Sequence, residues 1–329
     1  AFFPSCPLQL MFSPTAILHP TDFSESARSA LRHAVHLARH HDATLHIVHV
    51  STDFGEDPIR KAFEARVDAA GFNKAVRAEA KAQLRALLEP LDTDDLTIET
   101  MYERGVAPAP VILGYANTHD VDLIVMGTHG RRGVKRFMLG SVAEEIVRHA
   151  SCSVLTVRGD LDSDPATIRR VLTPVDLSDV TEPLIGTAEN VAAAFRARLD
   201  VLHVVEPLPF PVPLLGGITI HDLMPDPEER AQAQLQEIVA PMHDGTVPVD
   251  THVREGRAAM AILNAADEMD ADLIVIASHD ASRLERVMLG GVTARVVRRA
   301  ECPVLTVRVP EEALPEASSA TEDETADAA

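Results

Sequence analysis

At 329 residues the chain is long enough for two domains of ordinary size, each with a core of its own. It is 46% hydrophobic and 24% charged, the composition of a soluble globular protein, with no apolar run of the roughly 20 residues that a membrane-spanning helix needs. A net charge of −20, with Lys61, Lys74, Lys81 and Lys135 as the only lysines, argues against nonspecific binding to nucleic acid, whose phosphates such a surface repels.

Residues 1–14 precede the first predicted element, and Ala1–Leu8 carry neither the charged nor the apolar stretch of a secretory leader. A strand is expected at 15–19. A helix follows at 24–40, opened by the natural N-cap Ser24, with Ala27, Leu31, Ala34 and Ala38 on one face. His33, His36 and His40 fall on the opposite face and predict a solvated polar stripe. His36 and His40 have the i, i+4 spacing of a metal pair, but no carboxylate or cysteine completes a site nearby. Further strands are expected at 43–50, 95–102, 121–127 and 153–158, with helical stretches between them at 58–89, 106–118 and 140–149. His19, His46 and His49 lie on strands, where packing explains them. Leu123-Ile124-Val125-Met126 and Val154-Leu155-Thr156-Val157 are continuous apolar runs, as parallel strands covered on both faces require. The alternation predicts an α/β fold with an open, doubly wound parallel sheet.

The pattern then recurs. After a linker at about 159–168, Val171-Leu172-Thr173-Pro174-Val175-Asp176-Leu177-Ser178 matches Ile17-Leu18-His19-Pro20-Thr21-Asp22-Phe23-Ser24. Val201-Leu202-His203-Val204 matches Ile47-Val48-His49-Val50. Ala271-Asp272-Leu273-Ile274-Val275 matches Val121-Asp122-Leu123-Ile124-Val125, and Cys302 through Arg308 matches Cys152 through Arg158. Four matches in one order predict tandem domains at 15–158 and 169–309. Where the first has its long helix, the second has Pro207–Pro213 and Gly216-Gly217, a proline-rich loop. Residues 310–329, acidic and without aromatics, are expected to be a disordered tail. The three cysteines form no CxxC; Cys152 and Cys302 are expected to be small buried thiols, and a cytoplasmic location follows from reduced cysteines and the missing leader.

In an open α/β sheet, ligands collect at the carboxyl ends of the strands, near the point where strand order reverses. Pro20-Thr21-Asp22 follows the first strand there. Gly127-Thr128-His129-Gly130 follows the fourth and leads through Arg131, Arg132, Lys135 and Arg136 to Gly140-Ser141-Val142. Gly127 and Gly130 lack Cβ atoms, so their backbone lets an anion approach closely. Gly140, Ser141 and Val142 open a helix whose amides and positive dipole end favour phosphate. Arg131 and its basic neighbours screen phosphate charge, Asp22 is placed to accept from ribose hydroxyls, and the backbone of Val50 to meet an adenine edge.

Gly127, two residues, Gly130, nine residues, Gly140-Ser141, placed after a fourth strand Asp122-Leu123-Ile124-Val125-Met126, resembles the nucleotide motif of the universal stress protein family. Pro20-Thr21-Asp22-Phe23-Ser24 and His49-Val50 resemble it at matching places, and the likeness runs from about 15 to 309. It implies two tandem open parallel five-stranded sheets, Rossmann-like and of the adenine nucleotide alpha hydrolase type, with strand order 3-2-1-4-5. It also implies ATP as ligand, with magnesium left open, and a role in stress responses. Fifth strands in the family pair edge to edge, which implies an intrachain pseudo-dimer through 153–158 and 303–309; a homodimer stays open. Slow hydrolysis or self-phosphorylation is the alternative to a purely regulatory module, and a structural module without nucleotide is a third reading.

The second half departs from the motif. Ala277 stands at the place of Gly127, Asp280 at Gly130, Gly290 at Gly140, Gly291 at Ser141 and Glu285 at Lys135. A carboxylate at 280 repels phosphate, so the second half is expected to bind ATP weakly or not at all.

Overall fold

The computed structural model describes residues 12–52, 69–128, 139–158, 164–206, 226–242, 245–278 and 290–309. The first half runs β1 (Ala16–Pro20), α1 (Glu25–His41), β2 (Thr44–Ser51), α2 (Ala69–Leu88), β3 (Ile98–Arg104), α3 (Pro108–Thr118), β4 (Leu123–Gly127), α4 (Ser141–His149) and β5 (Ser153–Val157). A short 3-10 turn at Pro165–Thr167 leads into the second half. That half runs β6 (Arg170–Val175), α5 (Thr181–Phe195), β7 (Arg198–Val205), α6 (Pro227–Val239), β8 (Val249–Glu255), α7 (Ala258–Glu268), β9 (Leu273–Ala277), α8 (Gly291–Arg299) and β10 (Val304–Val307).

Each half carries its five parallel strands in the order 3-2-1-4-5. The two sets join into one ten-stranded sheet, β3-β2-β1-β4-β5-β10-β9-β6-β7-β8. The junction is the antiparallel pair β5–β10, with Leu155 opposite Leu305 at its centre, so a pseudo-twofold axis relates equivalent residues of the repeat. Pairing these strands removes two exposed edges that would otherwise template association. Helices α1, α2, α5 and α6 cover one face over a core that includes Ile17, Leu31, Leu45, Val171, Leu199 and Leu305. Helices α3, α4, α7 and α8 cover the other, over Leu18, Ile124, Ile146, Leu172, Ile274 and Val296. Residues buried on both faces are why the strands read as unbroken apolar runs.

Local chemistry repeats between the halves. The Asp122 carboxylate accepts from the Thr15 and Ala16 amides at 2.7 and 3.0 Å, and Asp272 accepts from those of Arg169 and Arg170 at 2.8 and 3.0 Å. Each aspartate therefore ties the entry of its fourth strand to that of its first, the structural reason for one matched pair of the repeat. Burial pushes the thiols of Cys152 and Cys302 up to about 12, so neither is a reactive thiolate.

Some expectations shift. The third strand begins at Ile98 rather than 95, and α2 is described from Ala69. The second half also has a helix after its second strand, α6, where the prolines predicted only a loop. It has Pro227 in its first turn, where a missing N–H costs nothing, followed by Glu228 and Glu229 beside the positive end of the helix. Pro207–Pro213, the Gly216-Gly217 pair and residues 310–329 lie outside the described residues. The histidine stripe on α1 is solvated only in part: His40 is exposed, but His33 and His36 are not. His33 is fully buried, and His36 stacks on Phe195 of α5 at 4.8 Å and donates from Nε2 to the Ala194 carbonyl at 3.1 Å. Those histidines belong to the contact between halves, and no metal-binding cluster occurs among the described residues.

Candidate functional site

The crevice of the first half opens where β1 and β4 part. Their ladder ends at Leu18↔Ile124. Asp122 donates to the Ala16 carbonyl, so even-numbered residues of β1 turn their backbone groups toward β4. The next donor in line is position 20, and Pro20 has no N–H. The ladder therefore stops, and the buried His19 donates from Nδ1 to the Val125 carbonyl at 2.9 Å in place of the missing amide. Proline at 20 thus opens the sheet at the reversal of strand order.

Past Pro20 the chain turns tightly. The Thr21 amide donates to the Val48 carbonyl at 2.9 Å. The Thr21 hydroxyl accepts from the Phe23 amide at 3.1 Å, and Asp22 Oδ1 accepts from the Ser24 amide at 3.0 Å. Phe23 is held at φ 65, a left-handed conformation that costs a bulky residue on the order of 1 kcal/mol or more, and Leu177 repeats it at φ 61. The turn lets Ser24 cap α1, accepting from the Ala27 amide. Thr21 is thus committed to the turn through its amide and hydroxyl, and the Asp22 carboxylate stands at the same turn, at the carboxyl end of β1.

Val50 lies one turn of the pleat beyond Val48 on β2. Backbone groups alternate sides along a strand, and Val48 faces β1. Val50 therefore turns its amide and carbonyl to the same side, beyond the last residue of β1. Two neighbours border this end of the sheet: His49, whose contacts are the packing expected of it, and Gly105, which the sequence reading passed over. His49 donates from Nδ1 to the Thr21 carbonyl at 2.7 Å and lies 4.5 Å from the Phe23 ring and 5.9 Å from that of Tyr102. His203 makes the matching bond to Val175 at 3.0 Å. Gly105 follows β3, with its amide on the Ser51 carbonyl. A Cβ there would meet Val111 at 2.8 Å and Val50 at 3.5 Å, so glycine lets the β3 turn close beside Val50. The repeat signalled both, since His203 and Gly256 stand at the matching places.

Gly127 ends β4, and its role differs from the one expected. A Cβ there would meet Ser26 Oγ at 2.4 Å, the Ser26 carbonyl carbon at 2.7 Å and the Ala27 amide nitrogen at 2.9 Å. Glycine is required because the first turn of α1 packs directly on the strand end. In the second half, Ala277 takes this place. Its helix starts at Thr181, two residues later than a strict match to Glu25 would put it. Gly127→Ala is expected to destabilise the protein by about 1–3 kcal/mol, since backbone atoms must shift. Gly114→Ala, on the exposed side of α3 with nothing within 4 Å, is expected to stabilise it by roughly 0.5–1 kcal/mol. Urea unfolding of both variants is the check; a Gly127→Ala protein as stable as the parent refutes the close approach.

Gly130 and Arg131 lie outside the described residues, as do His129, Arg132, Lys135 and Arg136. The ends of that segment are pinned: the Gly140 amide donates to the Thr128 carbonyl at 2.8 Å, and the Thr128 amide to the Val157 carbonyl at 2.9 Å. Gly140's own amide is therefore occupied, contrary to its expected part in anion binding. Gly140 is the N-cap of α4 and brings no side chain to cap that end, and the first intrahelical bond is from the Glu144 amide to the Gly140 carbonyl. The amides of Ser141, Val142 and Ala143 thus have no acceptor within the helix. Ser141, at the first helical position, is exposed.

A tandem pair of open parallel sheets, each with strand order 3-2-1-4-5 and a glycine-capped helix after its fourth strand, defines a doubly wound, Rossmann-like α/β class of protein. The model of the family described as "Universal stress protein family" matches residues 15–158 and again 167–308, and the chain belongs to that family. A universal stress protein of Methanocaldococcus jannaschii is 33% identical over 144 residues, 43% of this chain and 83% of its own. One of Mycolicibacterium smegmatis is 26% identical over 299 residues, 89% of this chain and 96% of its own. The crystal structure of a universal stress protein from Archaeoglobus fulgidus superposes with a TM-score of 0.66 at 21% identity, covering 90% of this chain and 99% of its own, a likeness of fold. No helix among the described residues is long and apolar enough to cross a membrane.

Proposed function

We propose that the first half binds ATP and that the protein is a cytosolic stress-response module regulated by nucleotide occupancy. The observation that carries this is the N-terminus of α4: the amides of Ser141, Val142 and Ala143 lack acceptors within the helix, its N-cap Gly140 has no side chain to cap them, and they follow the basic segment after β4. In this reading they and the Ser141 hydroxyl take the phosphates, together with Gly130 and Arg131. Asp22 takes the ribose hydroxyls, and the backbone of Val50 the adenine edge. Pro20, Thr21, Gly127 and Gly140 act by shaping the crevice. Magnesium, if it accompanies the nucleotide, would supply positive charge that offsets the phosphates.

The test is to purify the protein, denature it and assay released adenine nucleotide, then titrate the stripped protein with ATP and magnesium. Binding with no ADP formed over hours supports the regulatory module. ADP production favours a slow ATPase, with Ser141 the nearest hydroxyl for self-phosphorylation. A correctly folded protein that binds no ATP refutes the reading and leaves a structural module.

A further inference from the structure

The second half holds the phosphate-side helix of the first. Arg308, just past β10, donates from Nη2 to the Arg148 carbonyl in the last turn of α4 at 3.0 Å, and its amide donates to Ser153 Oγ at 3.2 Å. Arg298 of α8 pairs with Glu144 of α4 at 2.9 Å, and Arg148 reaches the same carboxylate at 3.3 Å. A cation at a helix C-terminus satisfies exposed carbonyls and complements the negative end of the dipole.

Across the pseudo-twofold the contacts differ. Arg158 donates to the Ala300 carbonyl at the end of α8 at 3.0 Å, matching Arg308 on α4. But Ala294 stands where Glu144 does, so α8 offers no carboxylate at that place for Arg148. The doubly held helix is the one that leads out of the intact glycine motif. The junction also reaches the base of the crevice: the Thr128 amide and the Ser26 hydroxyl both donate to the Val157 carbonyl, at 2.9 and 3.3 Å, directly before Arg158.

We propose that the second half, through Arg298 and Arg308, is the positioning element for α4, so that a half with a degenerate motif sets the nucleotide affinity of the other. This rests on the reading that the first half binds ATP. Linkage then requires the converse: nucleotide at the N-terminus of α4 tightens the contact between the halves. Arg298 and Arg308 touch no nucleotide in this scheme; they act through α4.

The experiment uses the full chain, with ATP titrated into the parent, Arg298→Ala, Arg308→Ala and the control Arg299→Ala. Arg299 removes the same charge from the same helix, but contacts Met260 instead of α4. Arg298→Ala and Arg308→Ala are expected to weaken ATP binding by roughly threefold to thirtyfold, the range in which residues outside a site modulate it, and Arg299→Ala to leave it unchanged. Hydrogen exchange of the α4 amides in nucleotide-free protein is expected to quicken in the first two variants and not in the third, a readout that needs no ATP. The Arg298 side chain is half-exposed, so its variant stays folded if Arg308→Ala does not. A Glu144→Gln, Arg298→Ala double-mutant cycle is expected to show non-additive losses of affinity. Equal affinities and equal α4 exchange in a parent that binds ATP overturn the positioning role alone. A parent that binds no ATP overturns the nucleotide reading and the coupling with it.

Discussion

Replacing Gly130 by aspartate is expected to abolish ATP binding by the first half. The second half already carries Asp280 at that place. A carboxylate about 4–6 Å from a phosphate costs on the order of 3–4 kcal/mol in a partly dry crevice. At about 1.4 kcal/mol per factor of ten, affinity falls at least a hundredfold. Calorimetric titration of ATP into the stripped variant is the measurement, and a variant that binds as tightly as the parent removes Gly130 from the phosphate site. The reverse change, Asp280→Gly, is expected to restore nothing by itself. Ala277 still replaces Gly127, Gly291 lacks the Ser141 hydroxyl and Glu285 keeps its charge.

Acidification is expected to cost the fold about 3 kcal/mol through His19 alone. The His19 ring is fully buried, and its Nε2 has no hydrogen-bond partner among the described residues. Burial pushes its pKa from 6.5 down to about 4, outweighing the Val125 carbonyl and the Asp22 carboxylate, which both favour the charged form. The unfolded chain takes up the proton near pH 6.5 and the folded chain only near 4. The stabilisation from neutral His19 is therefore complete above pH 6.5 and is lost as pH falls through that window, by about 1.4 kcal/mol per unit. Burial, and then the neighbouring His40 and His36, push His41 to about 4 and add loss in the same direction. In His19→Asn the side-chain amide takes the place of Nδ1 and carries no titrating proton. Urea unfolding at pH 7.5, 6, 5 and 4 is expected to show a shallower acid decline for that variant. An identical decline assigns the acid sensitivity elsewhere.

The strands at the centre of each half were legible because burial on both faces demands unbroken apolar runs, as at Leu123–Met126 and Val154–Val157. The repeat was legible because the same local physics serves both halves: Asp122 and Asp272 bind strand entries, and Asp22 and Asp176 close the turn before the first helix. The start of β3 was harder to place, because this edge strand is half-exposed and its residues alternate less cleanly. Helix α6 was obscured by prolines that lie ahead of it and not within it. His33 and His36 of α1 were misjudged because a helix has one face toward its own sheet, and only the second half reveals what covers another.

At the site, the sequence by itself determined that Pro20–Asp22, Val50, Gly127 and Gly140–Val142 lie at strand ends and a helix start. Glycine spacing, a strand end and a helix start are local features, and parallel strands bring their carboxyl ends to one edge whatever the side chains do. It also determined the asymmetry of the halves, since Asp280 differs from Gly130 in charge, and charge needs no coordinates. Only the tertiary structure decided the role of each residue. Gly127 makes room for α1, Pro20 ends a ladder that His19 then completes, and Gly140 gives its amide to Thr128, while the amides of Ser141, Val142 and Ala143 have no acceptor within α4. Close approach and hydrogen-bond partnership are set by segments distant in the chain, and the pattern of one segment does not contain its partner. The same holds for α4, whose sequence marks its N-terminus for phosphate, while Arg298 and Arg308, more than 150 residues away, hold the rest of it.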